Sequence, residues 1–105
     1  MYQERNQELM IRVLVGHKVK DGSNIQPILL KLRKNAMQYP GFISGENLIN
    51  VRDTSITVTI STWNAFESWR AWEKSKIRQG LYQQAEPILA EEPKISIYEI
   101  TGTRW

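Results

Sequence analysis

The order of periodic segments in this 105-residue chain predicts an α+β fold, β-α-β-β-α-β, with the helices on one face of an antiparallel four-stranded sheet. Three observations carry this expectation. Period-two alternation runs through Met10–Lys20 and again through Ser55–Trp63. Apolar residues recur at helical spacing between Asn24 and Gln38. A tryptophan-rich helical stretch follows the third strand directly. The arrangement is the ferredoxin-like one. It defines a single domain over residues 10–101, between a polar N-terminal tail (1–9) and a short C-terminal tail (102–105).

In the first strand Ile11, Val13, Val15, His17 and Val19 share one face, and Met10, Arg12, Leu14, Gly16 and Lys18 share the other, until Asp21-Gly22 breaks the pattern. Ser23, Asn24 and Gln26 offer capping groups, and Pro27 sits in the first turn of a helix, where a missing N–H costs little. Ile25, Ile28, Leu29, Leu32, Ala36 and Met37 give that helix its apolar face, and Tyr39-Pro40-Gly41 ends it. The second strand spans Phe42 to Val51, with Gly45 marking a bulge or a close approach. After a turn at Arg52-Asp53-Thr54, the third strand sets Ile56, Val58 and Ile60 against Ser55, Thr57, Thr59 and Ser61. A helix from Ala65 to about Lys74 follows. A second helical segment, Lys76–Leu89, carries Ile77, Leu81, Ala85 and Ile88 on one side, and Gly80 and Pro87 weaken it. Pro93–Thr101 is the last strand.

Composition narrows the function. The length fits one domain, which buries roughly 60–70% of the surface of the unfolded chain, so the core is modest. With no cysteine there is no disulfide, thiolate metal site or cysteine nucleophile, and one histidine makes neither a facial triad nor a standard zinc site. The net charge of +3 comes from basic clusters at Lys31, Arg33 and Lys34 and at Lys74, Lys76 and Arg78, which read as solvated helix faces. The opening residues lack a signal-peptide core, and no run is long and apolar enough for a membrane helix, so a soluble cytoplasmic protein is expected. There is no phosphate-binding glycine loop and no acyl-transfer elbow. RNA-recognition domains share the element order, but this third strand holds no aromatic before Trp63, which argues against nucleic acid.

The stretch Ser61–Ser75 organises the rest, since it holds three of the four tryptophans. Asn64, with Glu67 three residues on, has the form of a capping box. Phe66, Trp69, Trp72 and Ala65 fall within an arc of roughly 120°. Those rings are either ordinary core or one wall of a pocket for a flat ligand. With helices on one face only, the other face of the sheet is bare. Leu14, Tyr98 and Ile100 are expected on it beside the Ser/Thr row of the third strand, and dimerisation through the sheets would cover it.

Several motifs, P-G-F-I-S-G-E at 40–46, I-S-T-W at 60–63, S-W-R-A-W-E-K-S at 68–75, E-P-I-L at 86–89 and I-Y-E-I at 97–100, resemble the antibiotic biosynthesis monooxygenase (ABM) family in order and spacing, from Met10 to Ile100. The resemblance implies a homodimer whose sheets pack into a dimeric α+β barrel, with a pocket between sheet and helices in each protomer. It also implies a choice of activities. In the haem-degrading branch Trp72 matches the family's tryptophan, but its histidine position falls on Tyr82 and its first-strand asparagine near Val15. In the cofactor-independent branch a phenol or quinol loses a proton and its anion passes an electron to O2, which needs a dry aromatic pocket, a base and oxyanion donors. His17 is the residue whose unperturbed pKa suits the base. Tyr82 and Trp72 would donate O–H and N–H, and Phe66, Trp69, Val13 and Val15 would line the pocket. No metal and no cofactor is expected. The alternative is a non-catalytic dimeric module that binds a small aromatic molecule or a partner.

Overall fold

The computed structural model describes residues 9–102. The tails expected at 1–9 and 102–105 lie, apart from Leu9 and Gly102, outside the described residues. Eight elements follow in order: β1 (Ile11–Lys18), α1 (Gln26–Ala36), β2 (Phe42–Ile49), β3 (Ile56–Trp63), α2 (Phe66–Glu73), α3 (Lys76–Ala85), a 3₁₀ turn (Glu86–Ile88) and β4 (Lys94–Glu99). The strands form one sheet in the order β2-β3-β1-β4, with every neighbouring pair antiparallel. The predicted ferredoxin-like α+β architecture is therefore the observed one. Among the described residues no helix is long and apolar enough to cross a membrane.

Local chemistry explains the element ends. The Asn24 side chain accepts from the Gln26 amide and Pro27 follows, so α1 starts two residues later than its periodicity suggests. Gly41 adopts φ +93°, and a Cβ there would collide with Ser68 at the start of α2, so this turn requires glycine. The expected capping box does not form. Ala65 is the N-cap of α2 without a side-chain bond, and Asn64 instead accepts from the Ser68 hydroxyl at 2.7 Å. The helical segment expected over Lys76–Leu89 ends at Ala85 and tightens into the 3₁₀ turn, in keeping with Pro87.

The core lies between the helices and one face of the sheet. Ile11, Val13 and Val15 of β1 and Trp63 of β3 meet Leu29, Leu32 and Ala36 of α1, Trp69 and Trp72 of α2, and Leu81 and Ala85 of α3. The ladder corrects one expectation. Val13, Val15 and His17 stand opposite Ser61, Thr59 and Thr57, so the Ser/Thr row lies on the helix-covered face. Ile56, Val58 and Ile60 stand with Leu14 on the open face, because Leu14 pairs with Ile60 and Gly16 with Val58. Leu48 and Tyr98 join them through β2 and β4, at 45% and 58% exposure. The alternation of β3 shows that it has two faces but not which one is covered.

Candidate functional site

A cavity of about 60 Å³ opens between the covered face and the helices. Its apolar wall includes Val15, Phe42, Trp69, Trp72 and Tyr82; Asn47, Thr59 and Ser61 bring polar atoms, and Arg33 and Arg78 bring charge, whereas Glu46 borders it but stands opposite Ile60, with its side chain on the open face. Arg33 is exposed, so the cavity reaches the surface beside it. Each group has a local reason to be there. The β2 bulge between Phe42 and Ser44 sets Gly45 against Ser61 and Asn47 against Thr59, so the polar ends of both strands face inward. Ser75 caps α3 by accepting from the Arg78 amide at 3.1 Å, which fixes Arg78 in the first turn of that helix. Tyr82 lies one helical turn further on, on the same side of α3 as Arg78.

His17 is 2% exposed, and its Nε2 lies 2.7 Å from the Tyr82 hydroxyl. The rings are stacked at 5.7 Å. The Nδ1 atom and the hydroxyl of Thr57, directly across the ladder, have no hydrogen-bond partner among the described residues. Burial, assisted by the positive charge of Arg78, holds the imidazole down to about 4. Burial also pushes the Tyr82 phenol up, against the opposing pull of Arg78. Both groups are therefore neutral near pH 7, and the imidazole tautomer sets which of them donates in the Nε2–hydroxyl hydrogen bond. A near-neutral base was expected at His17. The buried site differs from that expectation, because desolvation disfavours the imidazolium.

The other expected site residues divide clearly. Trp69 and Trp72 are buried on the cavity wall, with Trp72 edge-on to Tyr39 at 5.2 Å. Val15 lines the cavity, whereas Val13 is fully buried in the core beside it. Phe66 does not reach the wall. It is the first residue of α2, 41% exposed, with the Arg70 guanidinium over its ring at 6.0 Å. Arg78 reads in the sequence as a solvated charge, yet it is half-buried and stacked over Trp69 at 5.2 Å and Tyr82 at 4.6 Å. The i,i+4 spacing of Arg78 and Tyr82 was the available signal for that pairing. The inward set of Asn47, Thr59 and Ser61 has no comparable local signal.

Haem does not fit this arrangement. The cavity is far smaller than a porphyrin, and the one tyrosine aimed at His17 is held in its protonated form.

No protein-family model matches the chain, and no curated protein matches its sequence. Solved structures do match its shape. A candidate antibiotic biosynthesis monooxygenase from Nitrosomonas europaea superposes with a TM-score of 0.81 at 16% identity, over 94% of each chain. SnoaB, a cofactor-independent oxygenase from Streptomyces nogalater, superposes at 0.78 and 11% identity, over 92% of this chain and 96% of its own. A further candidate of the same kind from Caulobacter crescentus gives 0.81 at 13% identity, over 90% and 92%. The ferredoxin-like fold of these antibiotic biosynthesis monooxygenase structures is the fold of this chain along most of its length.

Proposed function

We propose that this protein is an ABM-type oxygenase without a bound cofactor, acting on a single-ring phenol or quinol with O2 in the cavity between sheet and helices. The observation that carries the reading is the cavity wall: Trp69, Trp72, Tyr82 and Phe42 around inward-facing Asn47, Thr59 and Ser61. Such a wall shelters a flat, electron-rich ring from water and offers hydrogen bonds to its oxygens. The fold shared with SnoaB supports it. An engineered cavity of roughly 150 Å³ takes a whole benzene ring. At about 60 Å³ this one encloses part of a ring, which favours small substrates over fused polycycles.

In this reading the ionised ring gives an electron to O2, and recombination leaves a hydroperoxide on a ring carbon that carried hydrogen. Loss of water from it gives a quinone, so one oxygen atom enters the product and the other leaves as water. Tyr82, held by His17, presents its hydroxyl oxygen at the wall, and Trp72 confines the ring. His17 serves as a positioning residue, since an imidazole held near 4 takes a proton from a phenol only steeply uphill. We place the protein in the cytoplasm, which suits a cysteine-free chain, and as a homodimer joined through the open sheet faces. The apolar row Leu14, Val58, Ile60, Leu48 and Tyr98 supports that pairing.

Oxygen uptake with a panel of quinols and polyphenols tests the activity. Uptake above buffer is expected in the wild type, with a drop of roughly tenfold or more in Tyr82→Phe and a comparable one in His17→Ala. Quenching of tryptophan fluorescence by the same compounds, with uptake no faster than buffer, would replace the enzyme with a non-catalytic binding module.

A further inference from the structure

Arg78 is costly to hold where it is. Its guanidinium is half-buried between Trp69 and Tyr82, and among the described residues no carboxylate forms an ion pair with it. Ring faces satisfy a guanidinium above and below its plane. The in-plane N–H groups, five in a guanidinium, outnumber the acceptor beside them, the Tyr82 hydroxyl, and the remainder suit an oxyanion. A second donor waits on the same wall. Trp69 is 2% exposed and lines the cavity, and its buried indole N–H has no hydrogen-bond partner among the described residues. A buried N–H left unpaired is a standing cost that an arriving acceptor would relieve.

The rest of the wall does not cancel the positive charge. Arg33 of α1 adds a second guanidinium at the exposed side, and Glu46 of β2, opposite Ile60 in the ladder, turns its carboxylate to the open face of the sheet. His17 and Tyr82 are both neutral near pH 7, so neither competes as an anion. We propose that the cavity recognises its aromatic ligand in the ionised form, a phenolate, with the oxyanion held by the in-plane N–H groups of Arg78 and by the indole N–H of Trp69. The inference rests on the aromatic-ligand reading above and deepens it. It also supplies what a neutral His17 cannot, since the site selects the anion instead of drawing off its proton. Electron transfer to O2 needs that ionised ring.

The sign of one measurement decides the matter. A dry apolar cavity disfavours the charged form of a bound phenol and raises its titration midpoint, whereas a cavity built on Arg78 lowers it. The probe is 4-nitrophenol, whose ionised form absorbs in the visible, titrated against pH with and without excess protein. In the wild type the bound midpoint is expected about one unit below the free one, a preference of roughly tenfold for the anion. Arg78→Gln should bring it to the free value or above, and Arg78→Lys should keep part of the shift. Trp69→Phe, which keeps a ring and removes the N–H, should weaken phenolate binding several-fold. Circular dichroism of each variant confirms that it folds. A wild-type midpoint that stays put or rises, or an equal shift in folded Arg78→Gln, overturns the anion selection and leaves the aromatic-ligand reading standing. No binding at either end of the titration, by absorbance or by tryptophan quenching, overturns both.

Discussion

Up to Trp63, the two faces of β3 are furnished the opposite way from a strand of a simple monomer. The covered face, against the helices, carries the hydroxyls of Thr57, Thr59 and Ser61 and the imidazole of His17. The open face carries Leu14, Ile56, Val58 and Ile60, with Leu48 and Tyr98 from the outer strands. Polar groups under helices make sense when they line a space, and Thr59 and Ser61 line the cavity. An apolar row on the open side makes sense when a second surface covers it. The inversion ties the proposed site and the proposed assembly to one cause, the phase of β3 in its ladder with β1.

Neighbouring residues on β3 sharpen the contrast, because Thr57 and Val58 point to opposite faces. The largest effect is expected from Val58→Asp. A carboxylate in the middle of a sheet-to-sheet interface, with no partner, should weaken the dimer by roughly 4 kcal/mol, about a thousandfold in dissociation constant. Sedimentation should show the wild type as a dimer and the variant as a monomer that keeps its circular dichroism. A wild-type monomer would break the comparison outright. Next comes acid. The folded imidazole of His17 takes up its proton near 4, the unfolded one near 6.5, so between those values the unfolded chain binds the extra proton. Stability is full above about pH 6.5 and falls by roughly 3 kcal/mol as the pH drops toward 4. Urea unfolding at stepped pH should show this slope, and His17→Gln should flatten it. The smallest effect is expected from Thr57→Val, which removes a buried hydroxyl that has no partner among the described residues. It should leave stability unchanged or raise it by about 1 kcal/mol, and leave the dimer intact.

Element order and sheet topology were legible because the alternation in β1 and β3 is long, and because Asp21-Gly22 and Tyr39-Pro40-Gly41 stop their elements sharply. Trp69 and Trp72 were legible as a buried face for a similar reason, since three residues apart on a helix is one face. The pairing of faces was not. A strand whose two faces are both candidates for burial shows the same period either way, and only the ladder between β1 and β3 decides. Phe66 misled because helical phase ignores position, and the first residue of an eight-residue helix overhangs the core. Arg78 misled because most charges on a helix are solvated; what holds this one is its stacking over Trp69 of α2 and Tyr82 of α3. His17 and Tyr82 are 65 residues apart, so no local pattern could pair them.

The chain beyond α3 is laced back onto the strand that carries His17. The Lys20 amide donates to the Ile88 carbonyl at 2.8 Å, the Ala90 amide donates to the Lys18 carbonyl at 2.7 Å, and Val19 bridges to Leu89. Those stitches keep Tyr82 in register with its imidazole partner whatever the exposed turns are doing. They also make two amide protons into local gauges. Slow deuterium uptake at Lys20 and Ala90 would report an intact cavity wall, and early uptake there on warming would mark its loosening before the sheet itself melts.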